Sequence, residues 1–151
     1  MNDLSINSHF LEDQVIVINF DIDDQSPEDL AIGIERLSIK DSVLSICQTH
    51  GLGKKNRTCI KIEIIIQKNA FTEIINLIFE ETSTIGVRWR LENRVLLPRE
   101  SLSKIINNHP IGFKRSQRGK NIFTNKPDSS DLYSHNYSER LIIRAKISDE
   151  N

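Results

Sequence analysis

Three stretches of this chain gather groups that could do chemistry, and each also has a plain structural explanation. Asp21, Asp23 and Asp24 crowd the run "FDIDDQ". If that run ends a strand, Asp21 and Asp23 share a face and offer two hard oxygen ligands to a magnesium-type ion whose other positions are water and phosphate. The same acids could equally solvate a strand end and favour the positive start of the next helix. The run "GLGKKNR" offers Lys54 and Lys55 as point charges and Arg57 as a bidentate donor to phosphate, while its glycines let backbone N–H groups approach an anion. It lacks the Walker spacing, and glycine with charge also describes an ordinary hairpin turn. The run "EETSTIGVR" sets Glu80, Glu81, Thr82, Ser83 and Thr84 at the end of a helical pattern. Acids are unfavourable there because the carbonyl dipole prefers cations, so the stretch marks either a function or an exposed helix end.

Other chemistries find little support. His9, His50, His109 and His135 are scattered without metal-ligand spacing, and no nucleophile sits on a recognisable turn, so covalent hydrolase chemistry is not expected. Twenty basic against 21 acidic side chains give a net charge of -1. No global field then recruits nucleic acid or an acidic membrane, and any anion site must be local. Cys47 and Cys59 fit no zinc pattern and are expected to be reduced, buried thiols. No apolar run approaches the ~20 residues of a membrane span, so a soluble, cytoplasmic protein is expected.

The elements that must position these groups follow from periodicity. With 151 residues the chain fits one domain. Residues 1–14 read as a loosely held, flexible lead-in. Val15 to Phe20 form a β-branched run suited to a buried strand. Ser26 as N-cap, Pro27 in the first turn, and Leu30, Ile34 and Leu37 on one stripe predict a helix. "SVLSICQT" and "TCIKIEIIIQ" read as strands, with Ile60, Ile62, Ile64 and Ile66 facing one way and Lys61 and Glu63 the other. Phe71, Ile74, Ile75, Ile78 and Phe79 mark a second amphipathic helix, and "VRWRLE" alternates as a fourth strand. The order βαββαβ over 15–97 predicts an α+β, ferredoxin-like sandwich, an antiparallel sheet with two helices on one face. Residues 98–151 read as a β-hairpin turning near Arg118 and Gly119, then a weaker helix, forming an extension without a core of its own.

The ordered series "FDIDDQSPEDLAIGIERL", "KKNR", "FEETSTIGVR" and "LPRE", continuing weakly into "RGKNIFTNKPDSSDL", resembles the C-terminal domain of the LarC family, the nickel insertion proteins of nickel-pincer cofactor biosynthesis. The resemblance implies a cyclometallase that uses cytidine triphosphate (CTP) to insert nickel into pyridinium bisthiocarboxylic acid mononucleotide. Its C-terminal domain is the half that binds nucleotide and forms a homo-oligomer. Carried onto this chain, it implies Asp21, Asp23, Asp24 and Glu81 as ligands of the nucleotide's Mg2+ or Mn2+. Lys54, Lys55, Arg57, Thr82, Thr84, Arg88 and Arg99 would line the nucleotide site, with Glu100 beside them.

Three departures stand out. The larger nickel-handling N-terminal portion of the family is absent from these residues, which implies a separate partner of that type if the chain is active as a nickel chelatase. "KKNRTC" stands where the family usually has "KKNRPG", and "DIDDQ" where it has "NIDDM", adding the carboxylate of Asp21. The alternative expectation is a non-catalytic nucleotide-binding or regulatory oligomerisation module that has kept the fold.

Overall fold

The computed structural model describes residues 10–149. Most of the lead-in segment read from the sequence lies outside them; the first strand already begins at Leu11. The chain divides into two compact units, one spanning Glu12–Arg94 and another that includes the chain from Val95 onward.

The first unit contains β1 (Leu11–Ile22), α1 (Pro27–Ser38), β2 (Val43–Leu52), β3 (Thr58–Gln67), α2 (Phe71–Glu81) and β4 (Arg88–Leu96). The strands lie in the order β2-β3-β1-β4, so β3 is inserted between the two strands that α1 connects. β3 runs antiparallel to both neighbours. The cross-strand ion pairs Asp13–Arg94 and Asp21–Arg88 run in opposite chain order, which sets β4 antiparallel to β1. The ferredoxin-like α+β arrangement expected from the sequence is the one observed.

Its core forms where the apolar faces meet. Ile16, Ile18, Phe20 and Ile22 of β1 and Ile62, Ile64 and Ile66 of β3 pack under Leu30 and Leu37 of α1 and Ile74 and Ile78 of α2. Helix α1 starts as its composition requires, with Ser26 Oγ accepting from the Asp29 amide at 3.1 Å and Pro27 in the first turn. The two helices meet at Gly33, where an added Cβ would come within 2.7 Å of the Glu81 carbonyl oxygen. On the other face of the sheet, hydrogen bonds from Arg94 hold the Asp13 carboxyl below its ordinary range and tie β4 to β1. Cys59 is buried as expected; Cys47 is exposed instead, because its register partner Glu63 places it on the face away from the helices.

From Val95 onward the structure departs from the expected extension. β5 (Arg99–Ile106), β6 (His109–Gly119) and β7 (Ile122–Pro127) form a second, three-stranded antiparallel sheet, followed by α3 (Tyr137–Ser148). Ile106, Ile111 and Phe113 pack with Leu132, Ile143 and Ile147 in a core of their own. The turn after Gly119 lies where the sequence suggested, with Asn121 at φ 60°; a second hairpin turns at Asn107 and Asn108, with φ 49° and 64°. Asparagine tolerates this left-handed region better than most side chains, so all three positions suit their residues. α3 is held by a capping box between Asn136 and Glu139.

Two substitutions test this packing. Gly33→Ala forces a methyl group against the backbone of α2 and lowers the unfolding free energy by about 1–3 kcal/mol in urea titration; an unchanged midpoint would mean that the helices separate freely. In the second unit the Asp131 carboxylate accepts from the Gly112 amide at 2.7 Å, half-buried. Asp131→Ala leaves that amide without its partner, costs about 1–3 kcal/mol, and speeds hydrogen exchange at Gly112.

Candidate functional site

The end of β1, the β2–β3 loop and the start of β4 converge on one cleft of about 510 Å³ within the first unit. Asp21 lies on the sheet face away from the helices because Phe20 and Ile22 on either side are buried. The antiparallel register puts Lys61 of β3 directly opposite it. Asp23 follows just beyond the strand. The cleft is lined by these two carboxylates and by four cations, Lys54, Arg57, Lys61 and Arg88, with Leu52, Ile85 and the buried Cys59 as its apolar members.

The loop owes its shape to four features of "GLGKKNRTC". Strand pairing continues to Leu52 opposite Thr58, so only five residues turn the chain. The Gly53 amide donates to the Arg57 carbonyl at 2.8 Å, and the Arg57 amide to that of Lys54 at 3.2 Å. Lys55 and Asn56 take φ of 55° and 61°. Lysine gains nothing from the left-handed region, unlike the asparagine after it, so Lys55 carries backbone strain of about 1–2 kcal/mol. Gly53 is needed for space: a Cβ there would lie 3.2 Å from the buried Cys59 sulfur. The turn directs Lys54 and Arg57 into the cleft, whereas Lys55 is not among its lining residues.

Two ion pairs cross the site. Arg57 Nη2 lies 2.6 Å from Asp23 Oδ2, and Arg88 Nη2 lies 3.4 Å from Asp21 Oδ2. Each carboxylate therefore has one arginine, while Lys54 and Lys61 make no ion pair among the described residues. Four cations against two acids leave an excess of positive charge, in a chain whose net charge is -1.

The remaining expected site residues are placed differently. Asp24 accepts a 2.5 Å hydrogen bond from the Ser83 hydroxyl, and Gln25 bridges to the Glu81 carbonyl and the Ser83 amide. These bonds clamp the β1–α1 turn to the end of α2. The Glu81 carboxylate is taken by Arg36 of α1 at 2.7 Å, an interaction that holds the Arg36 guanidinium above its ordinary pKa. Thr82 donates to the Ile78 carbonyl at 2.7 Å, and Thr84 to that of Gly86 at 3.0 Å. Arg99 and Glu100 begin β5, in the other unit. Lys61 completes the lining of the cleft without having been expected there: its outward orientation is legible from the isoleucine alternation, but its register opposite Asp21 is not.

Known proteins resemble this chain in sequence and in fold. A family model described as nickel insertion protein matches residues 4–143. A putative nickel insertion protein of Geobacter metallireducens is 32% identical over 121 residues, 78% of this chain and 30% of that protein. The pyridinium-3,5-bisthiocarboxylic acid mononucleotide nickel insertion protein of Clostridium kluyveri is 30% identical over 122 residues, 80% of this chain and 30% of that protein. Among solved structures, the apo C-terminal domain of a cyclometallase involved in synthesis of the NPN cofactor of lactate racemase superposes with a TM-score of 0.77. The alignment covers 93% of this chain and 100% of that one; at 23% identity it establishes a shared fold. A Methanopyrus kandleri protein follows with a TM-score of 0.64 at 16% identity, covering 91% of this chain and 85% of that one. The chain spans about 30% of the length of these two curated relatives. With the family model matched along nearly its whole length, the chain belongs to the nickel insertion protein family.

Proposed function

We propose that this chain is the nucleotide-binding part of a nickel insertion activity, with CTP and a divalent ion held in the cleft between Asp21, Asp23 and the Lys54–Arg57 turn. The substrates of that activity are nickel and pyridinium bisthiocarboxylic acid mononucleotide, the molecule named in the description of the Clostridium kluyveri relative. The observation that carries the reading is the convergence of two carboxylates and four cations on one cleft of nucleotide size.

The donor set suits a hard cation. Asp21 and Asp23 supply two carboxylates, and no cluster of three or more His, Cys, Asp or Glu among the described residues is built to hold a metal alone. An ion that keeps water and phosphate oxygens in most of its positions is the kind that two carboxylates bind. When bound, Mg2+ or Mn2+ neutralises part of the triphosphate charge. The chain supplies the rest. Arg57 and Arg88 present planar donors suited to phosphate oxygens, and Lys54 and Lys61 add charge without a competing carboxylate partner. Leu52 and Ile85, both well exposed, offer apolar surface to a base or ribose. Asp24, Gln25, Ser83 and the Glu81–Arg36 pair act from behind by fixing the turn that presents Asp21 and Asp23. Nickel-handling groups belong in this reading to another part of the activity, in the same protein or a partner.

Calorimetric titration with the four ribonucleoside triphosphates, each with and without magnesium or manganese, tests the reading. CTP with the divalent ion binds most tightly, and Asp23→Ala or Lys54→Ala weakens it by about 1–3 kcal/mol, the worth of a charge-assisted contact. Binding of none of the four sinks the proposal. Lys55→Gly serves as the contrast: it relieves the left-handed strain, removes a side chain that does not line the cleft, and leaves the affinity close to that of the parent chain.

A further inference from the structure

The second unit holds a hollow of about 740 Å³, of whose lining the family resemblance assigns only Arg99. The faces of its sheet are strongly unlike. Ile111 and Phe113 of β6 point toward Ile143 and Ile147 of α3. The alternate residues Lys114 and Ser116 therefore share the opposite face, and Arg118, at a register shift near the end of β6, lines the same hollow. Strand register adds to them: Lys126 lies directly opposite Lys114, and Thr124 and Arg99 lie on either side of Ser116.

This is an unfavourable way to build a sheet. Like charges directly opposite one another destabilise a strand pair, yet Lys114 faces Lys126. Asp128 is the one carboxylate lining the hollow and lies 3.0 Å from Lys114 Nζ, leaving Arg99, Arg118 and Lys126 without an acidic partner among the described residues. The Thr124 hydroxyl is held on the same face. Arg118 Nε donates to Thr124 Oγ1 at 3.1 Å, which fixes the guanidinium plane and leaves its terminal nitrogens directed elsewhere. One end of the hollow is shaped by a missing side chain: a Cβ at Gly112 would lie 3.0 Å from Asp128 Oδ2 and 3.1 Å from Asp131 Oδ2. Glycine there lets the Pro127–Ser130 segment close down as a rim bearing two serines.

We propose that this face of β5, β6 and β7 is a binding site for a phosphorylated small molecule of mononucleotide size, separate from the Asp21–Arg57 cleft. Its chemistry is that of phosphate recognition: bidentate guanidinium donors, ammonium charge and hydroxyls on one concave surface. Its volume falls in the range of small-ligand sites, which favours a compact phosphate ester over an extended polyanion. Arg99, which the family resemblance assigns to the nucleotide, belongs to this set.

The test titrates the full chain with cytidine monophosphate, nicotinamide mononucleotide and pyrophosphate, with sodium sulfate at matched ionic strength as the control. Three proteins are compared: the parent chain, the hollow variant Arg118→Gln/Lys126→Gln, and the cleft variant Lys54→Ala/Arg57→Ala. The expected result is saturable binding of at least one monophosphate that the hollow variant weakens by roughly tenfold or more, the loss of a charge-assisted contact, and that the cleft variant leaves unchanged. Because the hollow variant removes like-charge repulsion, its urea midpoint does not fall. If it does not fold, Ser116→Asp is read in its place and must produce the same loss. Absence of saturable binding, an equal effect of sulfate, loss only in the cleft variant, or displacement by an RNA oligonucleotide at lower concentration than any mononucleotide each overturns the proposal. CTP binding that survives in the hollow variant and fails in the cleft variant leaves the proposed nucleotide reading standing, so the two proposals fail separately.

Discussion

Everything in the first unit depends on the register between β1 and β3. Ile18 lies opposite Ile64 and Phe20 opposite Ile62, and these pairs are buried almost completely. Because side chains alternate with a period of two, a slip of one residue would carry the whole isoleucine row into water and bring Asp21, Lys61 and Glu63 inside. Burying a large aliphatic side chain contributes about 1.5–3 kcal/mol, so the row leaves the strands no competing alignment. The same alignment that hides the isoleucines sets Asp21 beside Lys61. Placement of charge in the cleft is thus a consequence of core packing.

Local rules broken in this sequence divide into two kinds. Acids at the end of α2 oppose the helix dipole, but Arg36 reaches across from α1 to Glu81, and the Asp24–Ser83 and Gln25 bonds bind the same region to the turn after β1. That conflict is resolved within the fold, so it marks a support for the site. The left-handed backbone of Lys55 has no such resolution, and the Lys114–Lys126 pair has it on one side only, where Asp128 reaches Lys114 and leaves Lys126 without an acidic partner among the described residues. Both sit beside a concentration of uncompensated positive charge. Departures that the fold does not compensate are where a ligand has a reason to be.

The legible and illegible parts of the structure separate along physical lines. Helices α1 and α2 and strands β1 to β4 were readable because each carries a cap or a one-faced apolar pattern: Ser26 with Pro27, and the odd–even split of isoleucine against Lys61 and Glu63. Strand β5 was not, since "RESLSKII" is mostly polar and pairs through a turn, Asn107–Asn108, that resembles any loop. The second core went unseen for the same reason. Its members come in short groups far apart in sequence, Ile111 with Phe113, Leu132 alone and Ile143 with Ile147, and none is long enough to make a periodic run. In the cleft, Asp21, Asp23, Lys54 and Arg57 could be named from residue type and order, and Arg88 from the family resemblance. Lys61, Leu52 and Ile85 required the strand register and the loop path, which no local pattern encodes.

A near-neutral chain that collects charge must do so at the expense of symmetry elsewhere. Acids on the open face of the first sheet are largely spent on arginines, as in Asp13 with Arg94 and Glu92 with Arg90. Asp13 meets Arg94 across two strands, and Arg90 meets Glu92 along one. The cleft and the hollow differ in that cations arrive from several elements while acids arrive from few: the β2–β3 turn brings two cations and no carboxylate, and β6 brings two more against the single Asp128. An excess gathered by chain topology persists whatever the net charge. Local potential follows from register and turn geometry, which is why a composition that excludes a global polyanion partner leaves room for discrete anion sites in each unit.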